Sequence, residues 1–152
     1  MKSLLTVITL VLGLVFMQAL AFAALPDAKT ENLNLVAGRQ AIKAKDFKSA
    51  VKSLTKAVQE NAKDADAHTM LGYSYRKLGT FDKSLEHYQM ALKIDAAKHR
   101  SAHEYLGELY LDMNQLASAE NQLQVLKKAC PFFGKCEEYD DLKVAIENHK
   151  PK

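Results

Sequence analysis

Residues 65 to 98 constrain this chain more than any other stretch, because their pattern recurs on both sides of them. Two apolar sets lie within them, Met70, Leu71, Ser74, Tyr75 and Leu78, then Phe81, Leu85, Tyr88, Ala91 and Leu92, separated by Gly79-Thr80. Spacings of three and four place each set on one face of a helix. An offset of 34 carries Gly72 onto Gly38, Phe81 onto Phe47, Ser84 onto Ala50, Tyr88 onto Leu54 and Ala91 onto Ala57. Downstream the offset is 35, so that Leu106-Gly107 answers Leu71-Gly72, Tyr110 answers Tyr75, Ala119 answers Ser84 and Leu123 answers Tyr88. The extra residue falls near Ala97-Lys98-His99. A chain with such a period stacks copies of one helical hairpin, and each copy buries its apolar face only against its neighbours. The expected fold is an all-α solenoid of three helix pairs. Residues 137–149, with Tyr139, Leu142, Ala145 and Ile146 on one side, form a seventh helix that caps it.

Leu71-Gly72, Tyr75, Gly79, Phe81, Tyr88 and Ala91 together resemble the tetratricopeptide repeat, whose helix-turn-helix unit has this order of small and aromatic residues. Asn114 stands where Gly79 stood and is the other residue that tolerates a left-handed turn after a helix. Pro131 falls in the family's closing proline slot. The first copy departs from the pattern at Ala37 and Ala41, as suits an end repeat with one neighbour. The resemblance implies repeats over about 31–64, 65–99 and 100–133, and small residues at Gly38, Gly72 and Gly107 that let helices approach closely.

The resemblance also implies a concave groove lined by the first helix of each pair. Its exposed slots would be Asn32, Leu35, Arg39, Ile42 and Lys43, then Asp66, Thr69, Tyr73, Arg76 and Lys77, then Ser101, Glu104, Glu108, Leu111 and Asp112. The candidate partner-binding residues are Arg39, Lys43, Tyr73, Arg76, Lys77, Glu104, Glu108 and Asp112, with Tyr73 beside Arg76 and Lys77 as the centre, since aromatic and arginine anchors dominate binding energy. Leu35 and Arg39 occupy the first two slots of the carboxylate clamp found in some relatives, so that function does not carry over. The expected role is a non-catalytic adaptor for a peptide or protein. A metal or small-ligand carrier and a self-associating scaffold are the alternatives.

Residues 1–23 read as a signal peptide: Lys2, an apolar run from Leu4 to Met17, then Ala21-Phe22-Ala23. Retention as an anchor is the other reading, since about 20 apolar residues can span a bilayer. Residues 24–30 are a polar linker around Pro26. The 129 residues from Ala24 suffice for one domain with a real core. They hold 20 basic and 18 acidic side chains, a balance that does not call for nucleic acid. The charge is graded along the stack, with 8 basic against 5 acidic residues over 24–64 and 7 against 9 over 100–152.

Cys130 and Cys136 are the only cysteines. In an exported chain they pair, and closing so short a loop stabilises by about 2 kcal/mol. A redox or metal-binding dithiol is the alternative, although five intervening residues and Pro131 directly after the first cysteine suit it poorly. The stretch from Cys130 to Lys143 resembles the ending of small exported tetratricopeptide proteins of Gram-negative bacteria, which implies the periplasm. His99 and His103 are the one histidine pair at a helical spacing of four and could chelate. His68 and His103 occupy matching slots one turn before Leu-Gly and read as packing residues. No nucleophile motif or phosphate loop occurs, so neither catalysis nor a cofactor is expected.

Overall fold

A computed structural model describes residues 31–97, 99–130 and 135–149. The expected signal peptide and linker lie outside the described residues, as does Pro131. Among the described residues seven helices follow one another: α1 (Leu33–Lys43), α2 (Phe47–Glu60), α3 (Ala65–Lys77), α4 (Phe81–Asp95), α5 (Arg100–Asp112), α6 (Leu116–Ala129) and α7 (Glu137–His149). No strand occurs among the described residues. The all-α repeat solenoid read from the periodicity is the fold observed. No described helix is long and apolar enough to cross a membrane.

Helix starts are set by short acceptors. The Asn32 side chain accepts from the N–H groups of Asn34 and Leu35, Asp46 from that of Ser49 and Asp64 from that of Ala67. The turn inside each hairpin passes through the left-handed region at the same repeat position: Lys45 at φ 57°, Gly79 at φ 74° and Asn114 at φ 58°. Glycine and asparagine suit that conformation. Lysine is a poor choice for it, since a Cβ there crowds the following carbonyl.

α1 pairs with α2, α3 with α4 and α5 with α6. The second helix of each pair also packs on the first helix of the next, and α7 closes the stack against α5 and α6. The core is a chain of clusters, from Leu35, Leu54 and Leu71, through Tyr88, Leu106 and Leu109, to Leu111, Leu126, Leu142 and Ile146. Glycines set the approach of the helices. A methyl on Gly38 would stand 2.5 Å from Leu54 Cγ, one on Gly72 2.8 Å from the Tyr88 ring and one on Gly107 2.5 Å from Leu142 Cδ2. Ser84 adds a buried hydrogen bond, donating from Oγ to the Gly72 carbonyl at 2.8 Å.

Several side chains fall elsewhere than periodicity placed them. Leu78, counted with the packing face of α3, is 39% exposed. Leu35, Thr69 and Leu111, counted as groove slots, are buried, and Thr69 Oγ1 donates back to the Ala65 carbonyl at 2.8 Å. For the three buried slots, a first helix packs on its own partner and on neighbouring first helices, so its buried arc is wider than one stripe, whereas Leu78 is the cap residue beyond the last turn of α3.

Gly72→Ala is expected to cost about 1–3 kcal/mol, because the Tyr88 ring is fully enclosed and cannot give way. A lowered denaturant midpoint with an unchanged slope would report it.

Candidate partner-binding groove

α1, α3 and α5 run side by side along the stack. Arg39 and Ile42 of α1, Met70 and Tyr73 of α3 and Tyr105 of α5 line a pocket of about 220 Å³ on it. Three aromatic rings are in contact here. Tyr73 meets Phe47 edge-on at a centroid distance of 6.0 Å and Tyr105 in a tilted arrangement at 5.3 Å. Lys77 Nζ lies 5.1 Å from the Tyr73 ring centre, within cation–π range. Burial, then the neighbouring Glu104, pushes the Tyr105 phenol above its usual range, which keeps it a neutral hydrogen-bonding group.

Arg39 and Tyr73 thus converge on one pocket, Lys77 covers Tyr73, and Lys43 is exposed on the last turn of α1. Arg76 does not stand free in the groove as the spacing suggested. It turns along the stack and forms ion pairs with Glu108 and Asp112 of α5, leaving its own side chain 10% exposed. Burial works against its charge, but the two carboxylates outweigh that and raise its pKa. Three of the expected binding residues are therefore one structural tie between neighbouring repeats. They also border a second cleft of about 270 Å³ shared with Ala145, Asn148 and His149 of α7.

Glu104 departs furthest from expectation. It is buried rather than exposed. Burial, reinforced by Glu108 and by Asp141 and Glu138 of α7, pushes its carboxyl up to about 8, so it is largely protonated at neutral pH. A group in that state offers a partner no negative charge.

Tyr105 and Met70 belong to the pocket and were not among the candidates. The signal was present, since the 35-residue offset places Tyr105 opposite Met70, and both therefore share one slot of their helices. Met70 had been grouped with Leu71 as packing.

The histidines form other contacts. His103 Nδ1 lies 2.8 Å from Gln122 Oε1, and His99 Nδ1 lies 3.6 Å from Asp66 Oδ1, so the pair at spacing four turns to different partners. His68 and His87 bring their Nδ1 atoms to 3.0 Å, and His68 Nε2 lies 3.3 Å from the Ala62 carbonyl. A carbonyl only accepts, so His68 carries its proton on Nε2 and takes one from His87 on Nδ1. Burial lowers both pKa values, and for His87 the charge of His68 adds to the effect. Tyr75 stacks on His87 at 5.6 Å, which places the tyrosine slot of the repeat at this seam between α3 and α4. Among the described residues no three His, Cys, Asp or Glu side chains converge on a possible metal position. Cys130 and Cys136 lie with their Cα atoms 5.8 Å apart and their sulfurs at bonding distance.

Stacked helix hairpins whose first helices run side by side define the class: an α-solenoid of short repeats. The family model of the tetratricopeptide repeat matches residues 35–99. Solved structures agree. The chain is similar to the type III secretion translocator chaperone SycD of Yersinia enterocolitica, at 15% identity and a TM-score of 0.71, covering 86% of this chain and 90% of that one. A second similar structure is the TPR2B domain of yeast Sti1 in its complex with pHsp70, at 18% identity, a TM-score of 0.69, and coverage of 77% and 95%. The TPR domain of Sgt2 from Aspergillus fumigatus matches at 20% identity and a TM-score of 0.68, covering 80% and 78%. No curated protein matches the sequence significantly. Residues 35–99 therefore match the tetratricopeptide repeat, and the fold of the described helices as a whole is similar to that of solved repeat domains.

Glu104 gives a pH test. Its pKa in the fold lies above the unfolded value of 4.5, so between 4.5 and about 8 the folded chain holds a proton that the unfolded chain has released. Its contribution to stability therefore falls as pH rises through that window. Glu104→Gln should raise the melting temperature relative to the parent, least below pH 4.5 and increasingly up to about pH 8, with a plateau beyond. The histidine pair has the opposite sign, since its lowered pKa values cost stability as pH falls below the unfolded value, but that effect is common to both proteins and cancels in the difference.

Proposed function

We propose that this protein is a non-catalytic adaptor of the bacterial cell envelope that holds an extended segment of a partner protein in its concave groove. The pocket of Arg39, Ile42, Met70, Tyr73 and Tyr105 is the observation that carries the reading. Ile42, Met70 and the two rings offer a dry seat for one large apolar or aromatic side chain. Lys77 lies beside it over the Tyr73 ring and Lys43, next to Ile42 in sequence, is exposed, while Arg76 neutralises the acids further along. The preferred segment is therefore an apolar anchor flanked by carboxylates. One similar structure, that of SycD, was solved with a peptide of the translocator YopD. A larger depression of about 460 Å³ lies between α6 and α7, but its lining includes Glu120, Asn121, Gln124, Lys143 and Glu147, which favour water over a side-chain anchor.

The double variant Tyr73→Ala with Tyr105→Ala should abolish capture of partners by crosslinking in the native envelope; both rings also pack on the Tyr88 cluster, so retained helical circular dichroism must accompany the loss. Arg76→Ala is the contrasting case. It leaves Glu108 and Asp112 without their cation and should cost about 1–3 kcal/mol of stability. Full retention of every partner by the tyrosine variant would remove the groove from consideration.

The envelope location rests on the Lys2 and Leu4-to-Met17 pattern and on the cysteine pair, which as a disulfide belongs to an oxidising compartment. N-terminal sequencing of the exported protein should begin at Ala24. Met1 recovered intact from a membrane fraction would establish an anchor instead.

A further inference from the structure

The groove leaves unexplained a row of lysines on the far side of the first repeat. α2 buries Ala50, Leu54 and Ala57. At about 100° per residue, Lys48, Lys52 and Lys56 project from the opposite side, and all three are exposed. Like charges four residues apart weaken a helix. Sequence neighbours give little relief, because the positions three and four away from Lys52 are Lys48, Ser49, Thr55 and Lys56. The nearest acids in sequence are Asp46, which accepts the Ser49 N–H and whose charge acts on Lys48 alone of the row, and Glu60, four residues beyond Lys56, which accepts from the side-chain amides of Asn32 and Asn34. The repeat supplies an internal control. At the same three slots the second pair carries Asp82, Glu86 and Met90, and the third carries Ala117, Asn121 and Val125. One architecture accepts three chemistries there, so packing does not require lysine.

We propose that this lysine row docks the first repeat on an anionic phospholipid surface. The row spans roughly 12 Å of helix as separated point charges. Its flanking side chains, Ser49, Thr55 and Gln59, include no arginine to fork onto a single phosphate and no ring to stack on a base. Such a row matches the spread potential of an anionic leaflet better than a discrete ligand. Exposed Lys45 and Lys63 extend it at both ends. Each lysine near such a surface is worth about a fivefold gain in partitioning, so three together give roughly a hundredfold.

The test uses the full protein as purified from cells, sedimented with phosphatidylcholine vesicles made with or without phosphatidylglycerol. An apolar segment, if retained, binds both vesicles alike, so the ratio reads the lysines. The parent should prefer the anionic vesicles and lose that preference at high salt. Lys48→Glu, Lys52→Glu and Lys56→Glu combined should reduce the preference at least tenfold. The same charge change made as Lys127→Glu, Lys128→Glu and Lys135→Glu at the other end should preserve it. A Lys→Gln triple at the row keeps the test open if charge reversal disturbs α2. Equal binding of the parent to both vesicles, an undiminished preference in the row variants, or binding of an acidic peptide by the row without vesicle binding would each overturn the proposal.

Discussion

Three glycines decide how closely the helices of this protein approach one another. Gly38, Gly72 and Gly107 each face a large side chain at a distance that admits no Cβ. With the helices at that separation, Leu54, Tyr88 and Leu142 are enclosed, and the clusters along the stack become continuous. The groove follows from the same constraint. Close pairing of each hairpin aligns α1, α3 and α5 as neighbours, and only then do Ile42, Met70, Tyr73 and Tyr105 share one pocket.

Charge is handled differently at the two ends of the groove. Near α1 cations lie beside an apolar seat. Toward α5 the carboxylates of Glu108 and Asp112 are tied to Arg76, and Glu104 is withdrawn from water and holds its proton. A graded composition along the chain thus becomes a groove whose acids toward α5 are taken up in cohesion between repeats. Salt should weaken capture of an acidic segment more than it weakens the fold.

Periodicity carried the architecture, because a 34-residue repeat of glycine, aromatic and alanine slots admits few stackings. It also located Asn114 in the left-handed turn that Gly79 occupies. Lys45 in the same turn was not legible, since its conformation is imposed by the hairpin rather than favoured by the residue. The groove was read in part. Arg39, Lys43, Tyr73 and Lys77 lie on or beside the pocket, whereas Arg76, Glu104, Glu108 and Asp112 were read as surface. Helical spacing gives direction from one axis, and those side chains are governed by contacts between axes. The same limit explains Tyr105, whose role depends on Tyr73 in a different repeat.

The last glycine is covered in a different way from the other two. Gly38 and Gly72 are closed by Leu54 and Tyr88, the second helices of their own hairpins, whereas the atoms nearest Gly107 belong to Leu142 of α7. The third hairpin therefore depends on a helix outside itself to complete its interior. Any lengthening of this solenoid by duplication would have to occur upstream of α5, because a unit inserted after α6 would displace α7 and reopen the space above Gly107. α7 thus serves the third hairpin as Leu54 and Tyr88 serve the first two, by filling the space above its glycine.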